Sequence, residues 1–578
     1  DDQKTFKGRH MLRRTAFVCI LVLLLLPAFA FASSQQESST SGTGAGATGP
    51  QYGGTLTLNG GASEPPSPSI NDAHHAALAW LEPIQERIIH GDTEKFGPGG
   101  NGEYAFQLVA YIPPQYQKGH LISDWDLTQE RLIWTVRKGI MFQAVDGVMG
   151  ARELTADDIA KDVQRFVDSP WGNRFDGLLK SVKAVGDTVV LEYENYSPEL
   201  FYFIGYEDRA IISPPETTQA DDSKWENQSG TGAFAFEEYV VGSYMSYVRN
   251  PNYWGKTTID GKQYDMPFID KLIRVIIPDE STAIAALRTG AVDHMGVNSQ
   301  QWDTLEATTK GLSRNKYGDM VNAISFKTDA PPFDNRDVRR AMSIGTDYAA
   351  FKRYGKAEDF PTHVFPSWSG NPGVYTSMEE LPADVQELYD YDPAKAKKML
   401  ADAGYPNGFE MEFYINSEGV IDVGFASLLQ NEWAKIGVKV EIVARDYVTY
   451  RQYRDTFTFK GAILAGTQIG NATGSVINLL GTDGWLNYSK YSNAKVDALS
   501  AQIAMEMDGV KQNAMIKEAA VIAAGDVANI GAYLIPQGMF WWPWVKNYHG
   551  EVSIEDGTFA ALVPYIWIDQ DLKKEMGF

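Results

Sequence analysis

The residues that most often carry out catalysis are scattered in this chain rather than grouped in a recognisable motif. The G-x-G-x-x-G pattern of dinucleotide-binding loops occurs twice, at Gly44, Gly46 and Gly49 and at Gly97, Gly99 and Gly102. The first copy lies in a Ser/Thr/Gly-rich tract and the second opens no helix, so neither indicates a nucleotide site. The sequence has neither a G-x-S-x-G nucleophile motif nor an H-E-x-x-H zinc motif. These observations argue against an enzyme, although a glycosidase-like carboxylate pair is an open alternative in so acidic a chain.

The histidine and cysteine residues give no metal-binding pattern. His74 and His75 are adjacent, so on a helix their side chains diverge instead of sharing an ion, and the other histidines are scattered. The single cysteine, Cys19, lies inside an N-terminal apolar run, which argues against a disulfide framework and a cysteine zinc site. We therefore expect no metal and no cofactor.

Aromatic side chains could hold a ligand by stacking, and the densest group is the run 540–544 (FWWPW). Consecutive side chains of a strand point to opposite faces. Trp541 and Trp542 therefore cannot both contact the same ligand if this run is a regular strand. We expect one of them to form a ligand platform and the other to pack in the core, with both in the core as the alternative.

Three further tryptophans are candidates for stacking on a ligand. Trp485 stands near Asn487 in the run 483–488 (DGWLNY), which combines an aromatic face with amides that suit a sugar ring or a peptide. Trp368 lies in a Ser/Gly/Pro-rich loop, and Trp80 lies in a helix-like segment. Packing in the core or on the surface is the alternative for each of them.

The N-terminus has the pattern of an export signal. Arginines soon after Met11 precede an apolar run over 16–31, and a small-x-small site predicts cleavage after Ala32. Residues 1–32 are interpreted as a signal peptide with upstream residues, and 33–51 as a flexible linker. An uncleaved membrane anchor is the alternative, because the run is just short of the ~20 residues of a spanning helix. In either case we expect the folded part in the periplasm or on the outer face of the cytoplasmic membrane.

The folded part has the patterning of an α/β protein. The chain of 578 residues suffices for roughly two to four domains, and its net charge of −23 argues against a nucleic-acid partner. Thr155 and Asp158 form the pattern of a capping box before a helix, and Asp392 and Pro393 begin another helix that ends before Gly404. Strand-like runs alternate with such helices without a fixed repeat, which favours α/β lobes.

Several segments, taken together, resemble one protein family. They are 154–159 (LTADDI), 230–234 (GTGAF), 249–255 (RNPNYWG), 287–293 (LRTGAVD), 331–341 (PPFDNRDVRRA), 391–396 (YDPAKA) and 404–409 (GYPNGF). Their order, and their spread over nearly the whole folded part, is similar to family 5 of the extracellular solute-binding proteins of ATP-binding-cassette importers. This is the group that binds oligopeptides, dipeptides, nickel and oligosaccharides.

The resemblance implies a two-lobed periplasmic-binding-protein fold of the α/β class, cluster C type, with a hinge and an extra inserted subdomain. Lobe I is expected to combine 52–75, 205–310 and 528–578. The extra subdomain would be 76–204, and lobe II would be 311–527. The ligand would be enclosed between the lobes, which close because the ligand contacts both of them only in the closed state.

The resemblance also places the segment 466–474 (GTQIGNATG) at the ligand pocket. Peptide-binding members usually carry an aspartate there that pairs with the ammonium group of the peptide, but this segment has no acidic residue. Gln468, Asn471 and Thr473 could instead hydrogen-bond a neutral polar ligand. A solvated glycine-rich loop is the alternative.

As a whole, the resemblance implies a monomeric, non-enzymatic binding protein that delivers a small-molecule solute to separate permease and ATPase subunits. The leading ligand classes are peptides and oligosaccharides, ahead of metal chelates. A secreted glycoside or peptide hydrolase and a receptor-type sensor module on a similar scaffold are the alternatives.

Overall fold

The computed structural model describes residues 49–69, 75–108, 111–360, 373–418, 420–468, 471–556 and 559–578. The predicted signal peptide, most of the predicted linker and the candidate Trp368 lie outside the described residues. The chain from Pro50 onward forms a single structural unit. None of the helices in the described ranges combines the length and the apolar character that a bilayer-spanning segment requires.

Strands and helices alternate along the chain. The strands are β1 (Thr55–Gly61), β2 (Ile89–Gly91), β3 (Gln117–Gly119), β4 (Ile122–Leu127), β5 (Arg131–Val136), β6 (Met141–Phe142), β7 (Arg152–Glu153), β8 (Leu179–Val185), β9 (Thr188–Tyr193), β10 (Phe234–Val240), β11 (Tyr244–Arg249), β12 (Lys256–Ile259), β13 (Lys262–Asp265), β14 (Lys271–Ile276), β15 (His294–Asn298), β16 (Ser313–Phe326), β17 (Phe409–Asn416), β18 (Val438–Arg445), β19 (Ala462–Gln468), β20 (Asn529–Trp541), β21 (Val545–Lys546) and β22 (Trp567–Ile568). The helices are α1 (His75–Leu81), α2 (Thr93–Phe96), α3 (Ala156–Asp168), α4 (Pro198–Gly205), α5 (Pro215–Ala220), α6 (Glu280–Arg288), α7 (Trp302–Thr308), α8 (Arg336–Ile344), α9 (Tyr348–Gly355), α10 (Ala383–Gln386), α11 (Pro393–Asp402), α12 (Val420–Ala434), α13 (Tyr447–Asp455), α14 (Ala472–Gly474), α15 (Ala494–Ile503), α16 (Gly509–Asp526) and α17 (Gln570–Glu575).

One large sheet runs through the molecule in the order β10–β11–β14–β1–β15–β20–β16–β19–β17–β18. Within it, β14, β1 and β15 are parallel to one another, and so are β19, β17 and β18. Between these two groups, β20 and β16 pair in antiparallel fashion along most of their lengths. The sheet therefore contains two parallel blocks joined by a long two-stranded ribbon, with the antiparallel pair β10–β11 at the edge beside β14.

The ribbon passes from one hydrophobic core to another. Val321 and Leu534 belong to the core that contains β1, β14 and β15, whereas Ile324 and Ala532 belong to the core around β17 and β18. At this crossing the pairing register shifts next to Asn322, which leaves Ala532 as an extra residue on β20. Because a bulge of this kind bends a strand, we place the hinge between the two lobes here. The residue boundaries of the lobes stay predictions.

Two helix starts that the sequence predicts are confirmed. In α3, the Asp158 backbone N–H donates to Thr155 Oγ1, and the Asp158 carboxylate accepts from the Thr155 N–H at 2.9 Å. In α11, the Asp392 side chain accepts from the Lys395 N–H at 2.9 Å. The first of these helices packs on the separate sheet β4–β5–β9–β8, which lies within the predicted extra subdomain.

Two of the segments that resemble the family meet at one buried carboxylate, Glu86. Thr231 Oγ1 and the Tyr253 hydroxyl donate to it at 2.7 Å, and Trp254 Nε1 donates at 3.2 Å. His120 Nε2 lies 2.7 Å away. Burial by itself raises the pKa of Glu86, but His120 and these donors outweigh it and hold the pKa below its ordinary value. These contacts therefore tie Glu86 and His120, in the predicted extra subdomain, to two segments of the predicted lobe I.

The segment just before β1 and the last helix, α17, are held together. The Gln51 side chain donates to Asp571 Oδ2 at 3.2 Å and accepts from the Gln570 N–H at 3.0 Å. Leu572 and Met576 of the terminal segment pack against the lobe I core. The chain thus leaves lobe I, forms lobe II and returns.

We expect His294 to make the folded state less stable as the pH falls from 7 to 5. Burial lowers the pKa of His294 from 6.5 to about 3, and its ring stacks on Phe559 with centroids 3.8 Å apart. The unfolded chain binds a proton below about pH 6.5 whereas the folded chain does not, so acid favours unfolding by about 2 kcal/mol over this range.

The measurement is the free energy of unfolding in urea at pH 7 and at pH 5, for the protein and for His294→Gln. The variant has no imidazole at this position, so its loss of stability between the two pH values should be about 2 kcal/mol smaller. Equal losses in both proteins would contradict the prediction.

Candidate functional site

The gap between the lobes lies at the carboxyl ends of the parallel strands of both lobes. β15 begins opposite Trp541 and ends with Asn298 opposite Gln537, which is nearer the hinge on β20. β19 begins opposite Phe326, pairs with Asn322 at the hinge and ends opposite Met320, just past it. In open α/β sheets, ligands bind outside the carboxyl ends of the strands. The strand directions therefore make this gap the candidate ligand-binding site.

Polar contacts link the two sides of the gap. Near the hinge, Lys356 Nζ lies 3.0 Å from Asp303 Oδ2. Further out, the Gln129 side chain donates to the Met505 carbonyl oxygen at 3.0 Å, and Asn478 Nδ2 donates to Glu199 Oε1 at 3.3 Å. These pairs are exposed or only partly buried, so separating the lobes would return each group to water at small cost.

The lobe II wall of the gap is the chain that follows β19. Asn471 caps α14, because its Oδ1 accepts from the Gly474 N–H at 2.9 Å. The helix continues directly into a π-helical turn, Ser475–Leu480. Such turns occur frequently at functional sites, since the extra residue re-aims the side chains around it. This turn carries Asn478 toward the opposite wall.

The facing wall presents a carboxyl group, Glu199. Ser197 caps α4 and Pro198 is its first residue, which fixes Glu199 in the first turn. Glu199 Oε1 reaches Asn478 Nδ2 and approaches Gly474 so closely that a Cβ there would be 2.8 Å from it. Burial raises the pKa of Glu199, and the Asn478 hydrogen bond offsets this only in part. An acidic group therefore lies beside the predicted pocket segment, although that segment contains none.

Sequence reasoning missed Glu199. The signal that was available is the run Ser197-Pro198-Glu199, since serine before proline is a typical helix start. That signal predicts the first turn of α4 but not which surface the turn faces. The position of the Glu199 carboxyl group beside lobe II follows only from the folded structure, in which α4 faces Gly474.

The predicted residues of the pocket segment contribute mainly to the shape of the wall. Asn471 caps α14, and Thr473 is buried with its Oγ1 3.4 Å from Gln512 Oε1. For Gln468 the structure describes the backbone at the end of β19 and not the side chain. Direct contact of these three residues with a ligand stays a prediction.

Trp485 and Asn487 lie in the same loop but in different environments. The Trp485 side chain is 69 % exposed, whereas Asn487 is 1 % exposed. Asn487 Nδ2 donates to the carbonyl oxygens of Tyr491 at 2.7 Å and Gly481 at 2.9 Å, and its Oδ1 accepts from the Tyr491 N–H at 3.0 Å. These bonds favour a structural role for Asn487, and the structure does not bring it together with Trp485 at one ligand surface.

Trp541 and Trp542 are both buried. Trp541 packs edge-on against Tyr548 with ring centroids 4.7 Å apart, at the end of β20 remote from the gap. Trp542 stacks on Trp544 at 4.7 Å and donates through Nε1 to the Leu287 carbonyl oxygen at 2.8 Å. This placement favours the core alternative for both rings.

Trp80 is the predicted aromatic residue that lies nearest to the strand ends of lobe I. Its ring covers Gly60 near the end of β1, and the Arg274 guanidinium stands 4.6 Å from the ring centroid. The side chain is 4 % exposed. Its contact with a ligand stays a prediction.

One carboxylate cluster in the described residues comes close enough to suggest an ion. The oxygens of Glu207, Asp208 and Asp556 lie within 4.8 Å of one another. Arg209 Nη1 already neutralises two of them, at 2.8 Å from Glu207 and 2.6 Å from Asp208. Burial, and then the charge of Asp208, raise the pKa of Asp556 to about 8, so this group is largely protonated at neutral pH. The cluster is therefore satisfied as an ion-pair network.

Two α/β lobes, a strand hinge, an inserted subdomain and a polar gap define a two-lobed binding protein of the periplasmic class. The family model "Bacterial extracellular solute-binding proteins, family 5 Middle" matches residues 117–487, which is well over half of the chain. The chain belongs to this family. The resemblance and the two-lobed fold that the sequence predicts are confirmed, and the protein is an extracytoplasmic solute-binding protein.

Individual relatives agree with this assignment. Heme-binding protein A of Haemophilus influenzae is 29 % identical over 420 residues, covering 66 % of this chain and 72 % of the relative. Di/tripeptide-binding protein 1 of Pseudomonas aeruginosa is 26 % identical over 475 residues, covering 74 % and 83 %. The structure of HbpA2 from Haemophilus parasuis superposes with a TM-score of 0.71 at 21 % identity, covering 89 % of this chain and all of that one. The first two of these relatives are named as binding proteins.

Proposed function

We propose that this protein captures a short peptide between its lobes and delivers it unchanged to a separate ATP-binding-cassette importer. The observation that carries the proposal is the β16–β20 ribbon that connects two separate hydrophobic cores. The β16–β20 ribbon changes cores at the bulge beside Ala532, so the lobes can close over a ligand while each core keeps its packing. Closure removes ligand surface from water on both sides, and apolar area contributes about 25 cal/mol per Å².

A peptide is the ligand class with the most support. The Pseudomonas relative is named for di- and tripeptides, and the match covers most of both chains. The Haemophilus relative is named for heme, which usually needs an axial ligand such as histidine. In this chain His90, His120 and His294 are each at most 5 % exposed, whereas the His549 side chain is partly exposed. The choice of a peptide therefore rests on the Pseudomonas relative, and heme is kept as a comparison ligand in the test.

The test is a direct measurement of lobe closure. Lys138 lies on the inserted subdomain and Lys398 on lobe II, and both side chains are exposed. A donor and an acceptor dye are attached at Lys138→Cys and Lys398→Cys in a Cys19→Ser background. Di- and tripeptides should raise the energy transfer with micromolar dissociation constants, about −8 kcal/mol of binding free energy. Oligosaccharides and heme serve as the comparison ligands.

Mass spectrometry of the released ligand separates a binding protein from a hydrolase. We expect the peptide to be recovered intact after prolonged incubation, since closure by itself makes and breaks no covalent bond. Cleaved peptide would favour the hydrolase alternative. If no peptide changes the energy transfer, the proposed ligand class is wrong. If oligosaccharides alone change it, the ligand class is oligosaccharides instead of peptides.

A further inference from the structure

Glu199 is a carboxyl group in the gap whose charge has little compensation. Its side chain makes one hydrogen bond, through Oε1, and the donor is the neutral amide of Asn478. Oε2 has no hydrogen-bond partner among the described residues. By contrast, the buried carboxylate of Glu555 pairs with the guanidinium of Arg87. A largely buried carboxylate normally has several hydrogen-bond donors or a cationic partner, so a single neutral donor is unusual.

Among the described residues, no cationic side chain contributes to the pKa shift of Glu199. Its pKa is set by burial and by Asn478, with no contribution from a lysine or arginine of the described chain. Burial, and then the charge of Glu199, raise the pKa of Tyr111, so this hydroxyl lies in the field of the carboxylate. Burial and then Glu506 raise the pKa of Tyr196 in the same region. This part of the gap is therefore electronegative and attracts cations.

The two partners of this contact come from opposite sides of the gap. Glu199 stands on α4 of the inserted subdomain, whereas Asn478 and Gly474 belong to lobe II. Gly474 lets the carboxylate approach, since a Cβ there would lie only 2.8 Å from Oε1. Contact between the lobes therefore adds Asn478 and Gly474 to the environment of the Glu199 carboxylate and removes water from it.

We propose that Glu199 makes closure of the gap depend on a cationic group in the ligand. The inference rests on the proposed function. In the empty protein, closure would bury a carboxylate that has only one neutral hydrogen bond, which opposes the closed state. A ligand with a protonated amino group beside Oε2 supplies a charge-assisted hydrogen bond and removes that cost. The substrates selected in this way are solutes with a free amino group, and neutral isosteres are rejected.

The first experiment compares tri-alanine with N-acetyl-tri-alanine by calorimetry in three proteins. The protein itself should prefer the free amine at least about tenfold, as expected for a hydrogen bond between charged groups. Glu199→Gln should reduce this preference to within about twofold, by losing affinity for the free amine. Glu194→Gln is the matched control, because Glu194 is an exposed acid on the same connection between β9 and α4. Its preference should equal that of the unchanged protein.

The second experiment measures closure without ligand, with the dye pair described above. Glu199→Gln should show higher energy transfer than the unchanged protein, because a neutral amide no longer opposes closure. Circular dichroism verifies that the variant is folded. Retained preference for the free amine in Glu199→Gln, or identical energy transfer of the two empty proteins, would overturn the inference. If no peptide binds but the empty variant closes further, the peptide assignment fails and the charge coupling stands.

Discussion

Replacing Arg87 by methionine is expected to lower the free energy of unfolding by about 3–5 kcal/mol. The Arg87 side chain is fully buried, and its guanidinium pairs with the carboxylates of Glu82 and Glu555. It also donates to the backbone carbonyl oxygens of Glu207 at 3.0 Å and Asp208 at 2.9 Å. Methionine fills a similar volume but leaves the Glu555 carboxylate in the interior without its guanidinium.

Urea unfolding followed by tryptophan fluorescence measures this change. The matched control is Arg451→Met, which removes an exposed guanidinium paired with Asp455 and should cost at most about 1 kcal/mol. Adding Glu555→Gln to Arg87→Met should restore part of the loss, because the unpaired charge is then gone. A cost for Arg87→Met no larger than that of the surface control would show that the buried pairs contribute little.

Removing the carboxylate of Asp293 is expected to cost about 3 kcal/mol of folding stability. Asp293 is fully buried. Its Oδ1 accepts from Trp544 Nε1 and Lys573 Nζ, both at 2.7 Å, and its Oδ2 accepts from the Thr57 N–H at 2.8 Å. Asp293→Ala leaves an indole N–H and a backbone N–H without their acceptor and removes the partner of the Lys573 ammonium, which weakens the connection between β1 and the C-terminal segment.

The same unfolding measurement applies, with Asp293→Asn and Lys573→Met as companions. Asn retains the shape and one oxygen acceptor, so its cost should be smaller than that of Ala. A double-mutant cycle between Asp293→Ala and Lys573→Met isolates the charged pair from the two neutral bonds. A loss below about 1 kcal/mol for Asp293→Ala would contradict the assigned role.

The local features of this fold were predictable from sequence because their causes are local. The caps of α3 and α11 involve side chains and backbone groups three positions apart, as at Thr155 and Asp158. The family-like segments were also predictable as scaffold. Their contacts at Glu86 and Asp293 lie in the interior of lobe I and at its junction with the inserted subdomain, away from the ligand gap.

The candidate site was less predictable because its parts are distant in the chain. Glu199 and Asn478 are 279 positions apart, and only the folding of two separate cores brings them together. Residue type also cannot distinguish an asparagine side chain that binds a ligand from one that stabilises its own loop. Asn487 has the chemistry that the sequence suggested for ligand binding, but Gly481 and Tyr491 use its hydrogen-bonding capacity.

Because Gln51 is hydrogen-bonded to the terminal helix α17, the two ends of the folded chain lie close together, which is the geometry that circular permutation requires. A short peptide bridge from Phe578 to Pro50 would close the backbone on lobe I, and new termini could be opened at the exposed turn 404–408 of lobe II. Such a circular permutant would carry a fused fluorescent domain on the moving half alone. Its signal would report solute capture as a change in orientation against a stationary base.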